Sequence, residues 1–485
     1  MPLCRALVFF ALLCLSVDVS GIEGKFYIYD WPTYIDDVWP PAGAVLHNRS
    51  AYSHDFRGNN GAGRVLDSDK GLFQTWQFSL YRNTMARLRT SEHRTMDPKA
   101  ATSFIVPFDL GVHSYIDHMN GFPRLASPHG WMTQALLKEK SKDKDVFWKN
   151  RGHDHFVFLS ITAYQMVGIG VKTFFMQICQ NCTTISIETS PTRTAIKGRT
   201  RKYWYAAPYP SSFHWHENIK DLPWASEGAG GESRHLLALF IGSLRTSQPN
   251  SNNLRKYLHT QCMADSACEW HTTRHACTGV LNATSTMLQL KKSVFCPAPT
   301  GDSVTRKSIF DSLVAGCIPV VFSRASIGQY IWHFTEEQME QISVYIPMQA
   351  INVDNVNFLD VLRNISVEEI TKKQKLIREL APSLQYSIVP ERVGNGSDGR
   401  FWRPPFRDAQ EVIIERILDR KTVDPISGFT DEQILEQLEK QNYIMSTSDD
   451  YAALRKDKPG QRPKWKRKRE IAPGLKGVSK VVQID

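Results

Sequence analysis

The chain has 485 residues, 42% of them hydrophobic and 11% aromatic, which suits two or three domains with sizeable cores and excludes a disordered or low-complexity protein. Its formal charge of +10 suggests a polyanion partner, but residues 455–476 hold ten Lys/Arg against two acids, leaving only +2 for the rest. The basicity is a Pro- and Gly-broken tail, so a nucleic-acid-binding body is excluded.

At the amino terminus, Met-Pro-Leu-Cys-Arg5 leads into the uncharged run Ala6–Val17, short for a membrane span but suited to a signal h-region. Two readings stay open: cleavage near Ser20 or Gly21, or an uncleaved signal-anchor over residues 1–21. Sequons at Asn48, Asn181, Asn282, Asn364 and Asn395 agree with a lumenal chain. Beyond the leader lie seven cysteines, and four between 262 and 296 suggest disulfides clamping one loop-rich insertion. Cys317 is then expected to be buried and free. Cys179 and Cys182 lack a second pair at metal spacing, so a local disulfide or two thiols is expected there.

Lys25–Asp30 reads as an aromatic strand ending on a carboxylate. After a Gly- and Asn-rich loop over 44–70, Gly71–Arg89 carries apolar residues at helical spacing, and Asp97–Pro107 reads as a turn running into a buried strand. Arg151, His153, Asp154 and His155 come immediately before the apolar strand ending at Leu159. That is the edge of a sheet opposite to the one where α/β ligand sites lie, unless the loop folds over. His153, Asp154 and His155 have no fourth partner at metal spacing, so no metal site is expected.

Another strand falls within 184–218 and leads to Ala207-Pro-Tyr-Pro-Ser-Ser-Phe-His214, where Pro and aromatic residues fix the chain. Glu227–Glu232 is a flexible connector. Arg234–Arg245 is a strand followed by a Gly-containing turn, Leu254–His259 begins a helix, and 350–380 and 406–440 read as amphipathic helices.

Between these lies the most informative stretch, Ser293–Val320. Val294 and Phe295 close a strand; Pro297, Pro299 and Gly301 break it. A helix follows, with Asp302, Ser303 and Thr305 as candidate caps and Gly316 as its exit. Ser303, Lys307 and Asp311 recur every four residues on one stripe, with Arg306 beside it. Backbone N–H groups at the helix start, with Arg306 or Lys307, suit a diphosphate, and Asp311 could accept ribose hydroxyls. The same stripe also fits an ordinary solvated helix face.

The series Phe295-Cys-Pro-x-Pro-x-Gly-Asp-Ser-x-x-Arg-x-Ser-x-Phe-Asp-Ser-Leu-x-Ala-Gly-Cys-Ile-Pro-Val320 resembles the signature of the exostosin-like glycosyltransferases (GT47). It is most similar to their plant xyloglucan galactosyltransferase branch. Gln329–His333 and Ser343–Pro347 continue the resemblance in order, and Asp97–Pro107, Gly152–Phe156 and Ala207–Pro210 extend it upstream. His153 stands where the family usually has Arg.

The resemblance implies an α/β fold of GT-B type, two Rossmann-like lobes facing across a cleft. It divides the chain into an acceptor-side lobe over 25–225, a nucleotide-sugar lobe over 232–405, carboxy-terminal helices over 406–445 and the basic tail over 446–485. It implies an inverting transfer of galactose or a related sugar from a UDP-sugar to a polysaccharide or glycan hydroxyl in the Golgi lumen, with no metal and no cofactor beyond the donor. Glucuronosyl, xylosyl or arabinosyl transfer and a glycan-binding pseudoenzyme are the alternatives. Association with the Golgi membrane and pairing with another glycosyltransferase stay open. Arg245, Ser303, Arg306, Lys307 and Asp311 are the expected donor-binding residues. The expected base is Asp154, acting directly or through His155.

Overall fold

Two runs of short apolar strands build two separate parallel sheets in the computed structural model, which describes residues 24–30, 58–109, 144–147, 149–162, 181–189, 204–219, 222–224, 234–246, 248–272, 283–394 and 399–419. The first lobe contains β1 (Phe26–Ile28), β2 (Arg64–Asp67), β3 (Leu72–Gln74), β4 (Arg94–Thr95), β5 (Ser103–Asp109), β6 (His155–Leu159), β7 (Thr183–Ser186) and β8 (Trp204–Ala206). Six of these form a sheet in the order β4-β1-β5-β6-β7-β8, parallel throughout, and β2 with β3 makes an antiparallel hairpin. The second lobe contains β9 (Leu236–Gly242), β10 (Cys268–Thr272), β11 (Ser293–Ala298), β12 (Ile318–Val321) and β13 (Val344–Tyr345). Their order is β10-β9-β11-β12-β13, again all parallel. Continuous apolar runs such as Phe156–Leu159 and Ile318–Val321 are buried, as strands covered on both faces require.

The longer helices are α1 (Leu80–Arg89), α2 (Pro249–Met263), α3 (Ala283–Leu290), α4 (Lys307–Val314), α5 (Val367–Leu380) and α6 (Ala409–Leu418). A parallel sheet directs every strand's carboxyl end to one edge, and the segments leaving those edges join the lobes. Tyr330 donates to Ile187 O (2.8 Å), Thr189 N donates to Gln329 Oε1 (2.6 Å), and Tyr386 donates to Pro208 O (2.6 Å). Tyr205 stacks on Trp332 with ring centroids 4.5 Å apart. The α/β, two-lobed GT-B architecture is thus present, with the lobes meeting along a seam.

Three expectations are corrected. Only the second half of Gly71–Arg89 is helical. Gly71 has φ +62°, and Leu72–Gln74 instead pairs with β2 while Phe73 N donates to Ser212 O (2.9 Å). The helix expected from Asp302 begins at Lys307, because residues 301–305 are held as a loop: Gly301 N donates to Ser303 O, and Ser326 Oγ donates to Val304 O (2.7 Å). Its exit is as expected. Gly316 has φ +74°, and a Cβ there would come within 2.7 Å of Arg234 Nη2.

The third concerns Cys317, which is bonded to Cys296, while Cys262 is bonded to Cys268. Parallel pairing sets Cys296 beside Pro319, so Cys317, two residues before it, comes within reach. This bridge closes the β11-α4-β12 unit over a sequence separation of 21 residues. The double variant Cys296→Ala/Cys317→Ala is expected to lose about 3 kcal/mol of stability, the loop-closure value for that length. Urea unfolding measures it; an unchanged midpoint would show that the bridge constrains nothing. Cys182 is also disulfide-bonded. Cys179, Cys277, the leader and the basic tail lie outside the described residues, as does the expected helix beyond 419. What is described of that helix, α6, returns to the first lobe, where Ser103 Oγ donates to Ile417 O (2.8 Å) and Gln410 Nε2 to Asn83 O (3.1 Å).

Candidate functional site

The loop between β11 and α4, with the first turns of α4, carries four of the five expected donor-binding residues, and the structure separates them into two groups. Lys307 and Asp311, one helical turn apart, turn toward the first lobe. Lys307 Nζ donates to both Asp311 oxygens (2.9 and 2.8 Å) and to Ser212 Oγ (2.7 Å), and Ser212 N donates to Asp311 Oδ1 (2.9 Å). Of the expected stripe only Lys307 and Asp311 share a helix face, and their charges hold the lobes together. Ser303 precedes the helix and is buried at the seam.

Arg306 behaves differently. It occupies the N-cap position of α4 in extended conformation, and no side chain caps the helix, so the N–H groups of Lys307 and Ser308 stay available to an anion, while Ile309 N is bonded to Arg306 O (3.1 Å). Its guanidinium lies over Gly301, so closely that a Cβ there would sit 1.4 Å from Nη2. Among the described residues its guanidinium donates no hydrogen bond and forms no ion pair, and its buried Nε is unpaired. An unpaired guanidinium beside an uncapped helix start is a seat for a bidentate anion such as a diphosphate.

Arg245 lies exposed on the turn after β9, on the same carboxyl edge, and makes no ion pair among the described residues. A residue that sequence reasoning missed connects this turn to the loop. Arg255 on α2, 6% exposed, donates through Nε to Thr300 O and through Nη2 to Pro299 O (both 3.0 Å), and it also holds Ser243 O. Burial, with repulsion from Arg306, lowers its pKa to about 9. Nothing in Leu254-Arg-Lys-Tyr-Leu258 distinguishes it from a surface base.

Facing Arg306 from the first lobe is Glu188, two residues beyond the end of β7 and also absent from the sequence-based set. It is 3% exposed, with the Tyr209 hydroxyl 3.3 Å from Oε2 and the Ser303 hydroxyl beside it. Burial pushes its carboxyl up to about 7, against the opposing pull of the Arg306 charge and of the two hydroxyls. A carboxylate just past a strand end on the ligand-binding edge was the available signal.

Asp154 and His155 are not brought to this seam. His155 is the first residue of β6, on the opposite edge of the sheet, about 20 Å along the strand direction from Glu188 at 3.3 Å per residue. The pair is buried, with His155 Nδ1 2.8 Å from Asp154 Oδ1 and Nε2 2.6 Å from the Tyr29 hydroxyl. Its ring stacks on Phe104, and Asn150 donates to Asp154 Oδ2 (2.6 Å). Burial opposes ionisation of Asp154, but the bonds and charge from His155, with the Asn150 bond, hold its pKa below the ordinary value. This geometry locks the approach to β6 in place.

The model of the Exostosin GT47 domain matches residues 23–362. Three proteins of Arabidopsis thaliana are similar to the chain. "Probable xyloglucan galactosyltransferase GT20" is 28% identical over 82% of this chain and 67% of its own length. "Xyloglucan-specific galacturonosyltransferase 1" is 28% identical over 83% and 58%, and "Xyloglucan galactosyltransferase XLT2" 26% identical over 82% and 75%. The chain thus spans 58% to 75% of the length of these relatives. Among solved structures, a glycotransferase of kitacinnamycin aligns over 63% of this chain and 92% of its own, at 10% identity and a TM-score of 0.30.

Proposed function

Because the chain belongs to the exostosin GT47 family and is a glycosyltransferase, we propose that it transfers galactose or a closely related sugar from UDP, with inversion, to a polysaccharide hydroxyl. The observation that carries this reading is the unpaired Arg306 guanidinium at the uncapped start of α4, which supplies two kinds of donor for a diphosphate. In the transfer, these groups take up the charge that develops on the leaving diphosphate. Arg255 keeps the surrounding carbonyls fixed, so little reorganisation accompanies the reaction. Lys307, Asp311 and Ser212 set the distance between the donor lobe and the acceptor lobe.

The setting we assign is the lumen of the secretory pathway, supported by the disulfides of Cys182, Cys262–Cys268 and Cys296–Cys317 and by the sequons. Among the described residues no helix is long and apolar enough to cross a membrane.

The test is a panel of UDP-sugars, UDP-galactose and UDP-galacturonic acid foremost, offered with xyloglucan and other wall polysaccharides and scored for UDP release and sugar incorporation. Incorporation from one donor is expected, and because Arg306 and the helix start carry the diphosphate charge, it should persist in excess chelator. Absence of both hydrolysis and transfer with every donor would favour the glycan-binding alternative.

A further inference from the structure

We infer that Glu188 is the base that accepts the proton of the acceptor hydroxyl, an inference that rests on the transferase reading above. A direct displacement needs a proton acceptor on the side of the sugar opposite the leaving diphosphate. Arg306 and α4 put the diphosphate on the second lobe, so the base has to come from the first. Glu188 meets that condition, because the backbone on either side of it is pinned to the second lobe, Ile187 O by Tyr330 and Thr189 N by Gln329. Its carboxyl feels the Arg306 charge without forming an ion pair with it.

Other carboxylates of the first lobe are less suited. Asp109, at the end of β5, is engaged by Ser160 N (3.1 Å), and Asp154 is on the far edge of the sheet. Covering Glu188 is the Tyr209 hydroxyl at 3.3 Å, a long contact that an acceptor hydroxyl can replace at little cost. The step balances without a co-reactant. The acceptor oxygen forms a bond to the anomeric carbon, and the bond from that carbon to the diphosphate oxygen breaks with its electron pair on the leaving group. The hydroxyl proton moves to Glu188 Oε.

The charged and titratable groups facing Glu188 are Arg306 and Asp302 on the β11-α4 loop, Tyr209 after β8, and Tyr330. Among them burial dominates and sets its pKa near 7, where proton acceptance is efficient at neutral pH. Glu188 works ionised, so transfer should fall as pH drops through that value.

The experiment compares the full chain with Glu188→Gln and Glu188→Asp, measuring UDP affinity by calorimetry and transfer between about pH 5.5 and 9. Glu188→Gln is expected to bind UDP within about twofold of the original, to transfer about a hundredfold or more slowly, and to lack the acid limb. Glu188→Asp should recover part of the rate and keep a limb. Equal rates in Glu188→Gln, or a parallel loss of UDP affinity and transfer, would overturn the assignment. So would an original chain that transfers with no limb near pH 7, a readout that needs no variant to fold. Loss of transfer in Asp154→Asn with a normal rate in Glu188→Gln would move the base to the other edge. An original chain that transfers from no donor sinks both readings, whereas one that transfers alongside an unimpaired Glu188→Gln sinks only this one.

Discussion

Arg306→Ala is expected to fold normally and to bind UDP about 1.5–3 kcal/mol more weakly, roughly tenfold to more than a hundredfold, as loss of charge-assisted bonds predicts. Stability should hold, because the guanidinium is half-buried, pairs with nothing among the described residues, and repels the buried Arg255. Gly301→Ala should weaken UDP in the same direction while keeping the charge, since the new methyl group occupies the position of the guanidinium. Lys307→Ala should instead lower stability together with affinity, because it releases Asp311 and Ser212 from the seam. Removing Arg306 also takes away a charge that favours ionised Glu188, so the acid limb of residual transfer should move to higher pH. Calorimetry with UDP and thermal unfolding separate these effects. Unchanged affinity in folded Arg306→Ala would take the diphosphate off this helix start.

What the sequence made legible was local. Lys307 and Asp311 are four residues apart, so their pairing follows from helical spacing. Gly316 marks a left-handed exit by its residue type, and the apolar strands declare themselves by composition. The helix start did not, because Ser303 and Thr305 look like caps while the contacts that keep them out of the helix come from Ser326 and Tyr330. Cys317 looked free for a similar reason, its partner being defined by strand pairing. Arg255 and Glu188 acquire meaning only through Thr300, Ser303 and Arg306, 45 residues or more away. Asp154 and His155 drew attention through local polar density, though their place before β6 already put them on the amino-terminal edge of the sheet.

The largest stability change is expected at a pair remote from the seam. Arg87 on α1 and Glu411 on α6 meet at 2.6 Å with side chains 3% and 9% exposed, and this ion pair fastens the returning helix to the first lobe. Arg87 also lies 5.7 Å from the Trp402 ring centroid, and Asp408 caps α6 through Glu411 N (2.8 Å). Arg87→Met removes one charge and leaves the other buried and uncompensated, a change that costs about 3–5 kcal/mol. Glu411→Leu should cost a similar amount by stranding the guanidinium. The double variant should recover most of the loss, because desolvating two charges offsets much of what their attraction contributes. Urea unfolding of the four proteins gives the coupling directly. UDP affinity should be nearly unchanged in all of them, since Arg306 and its helix belong to the other lobe. Single-variant losses below about 1 kcal/mol would place the pair among the weakly coupled surface bridges and leave the docking of α6 to its apolar face, where Val412, Ile413 and Ile417 are buried.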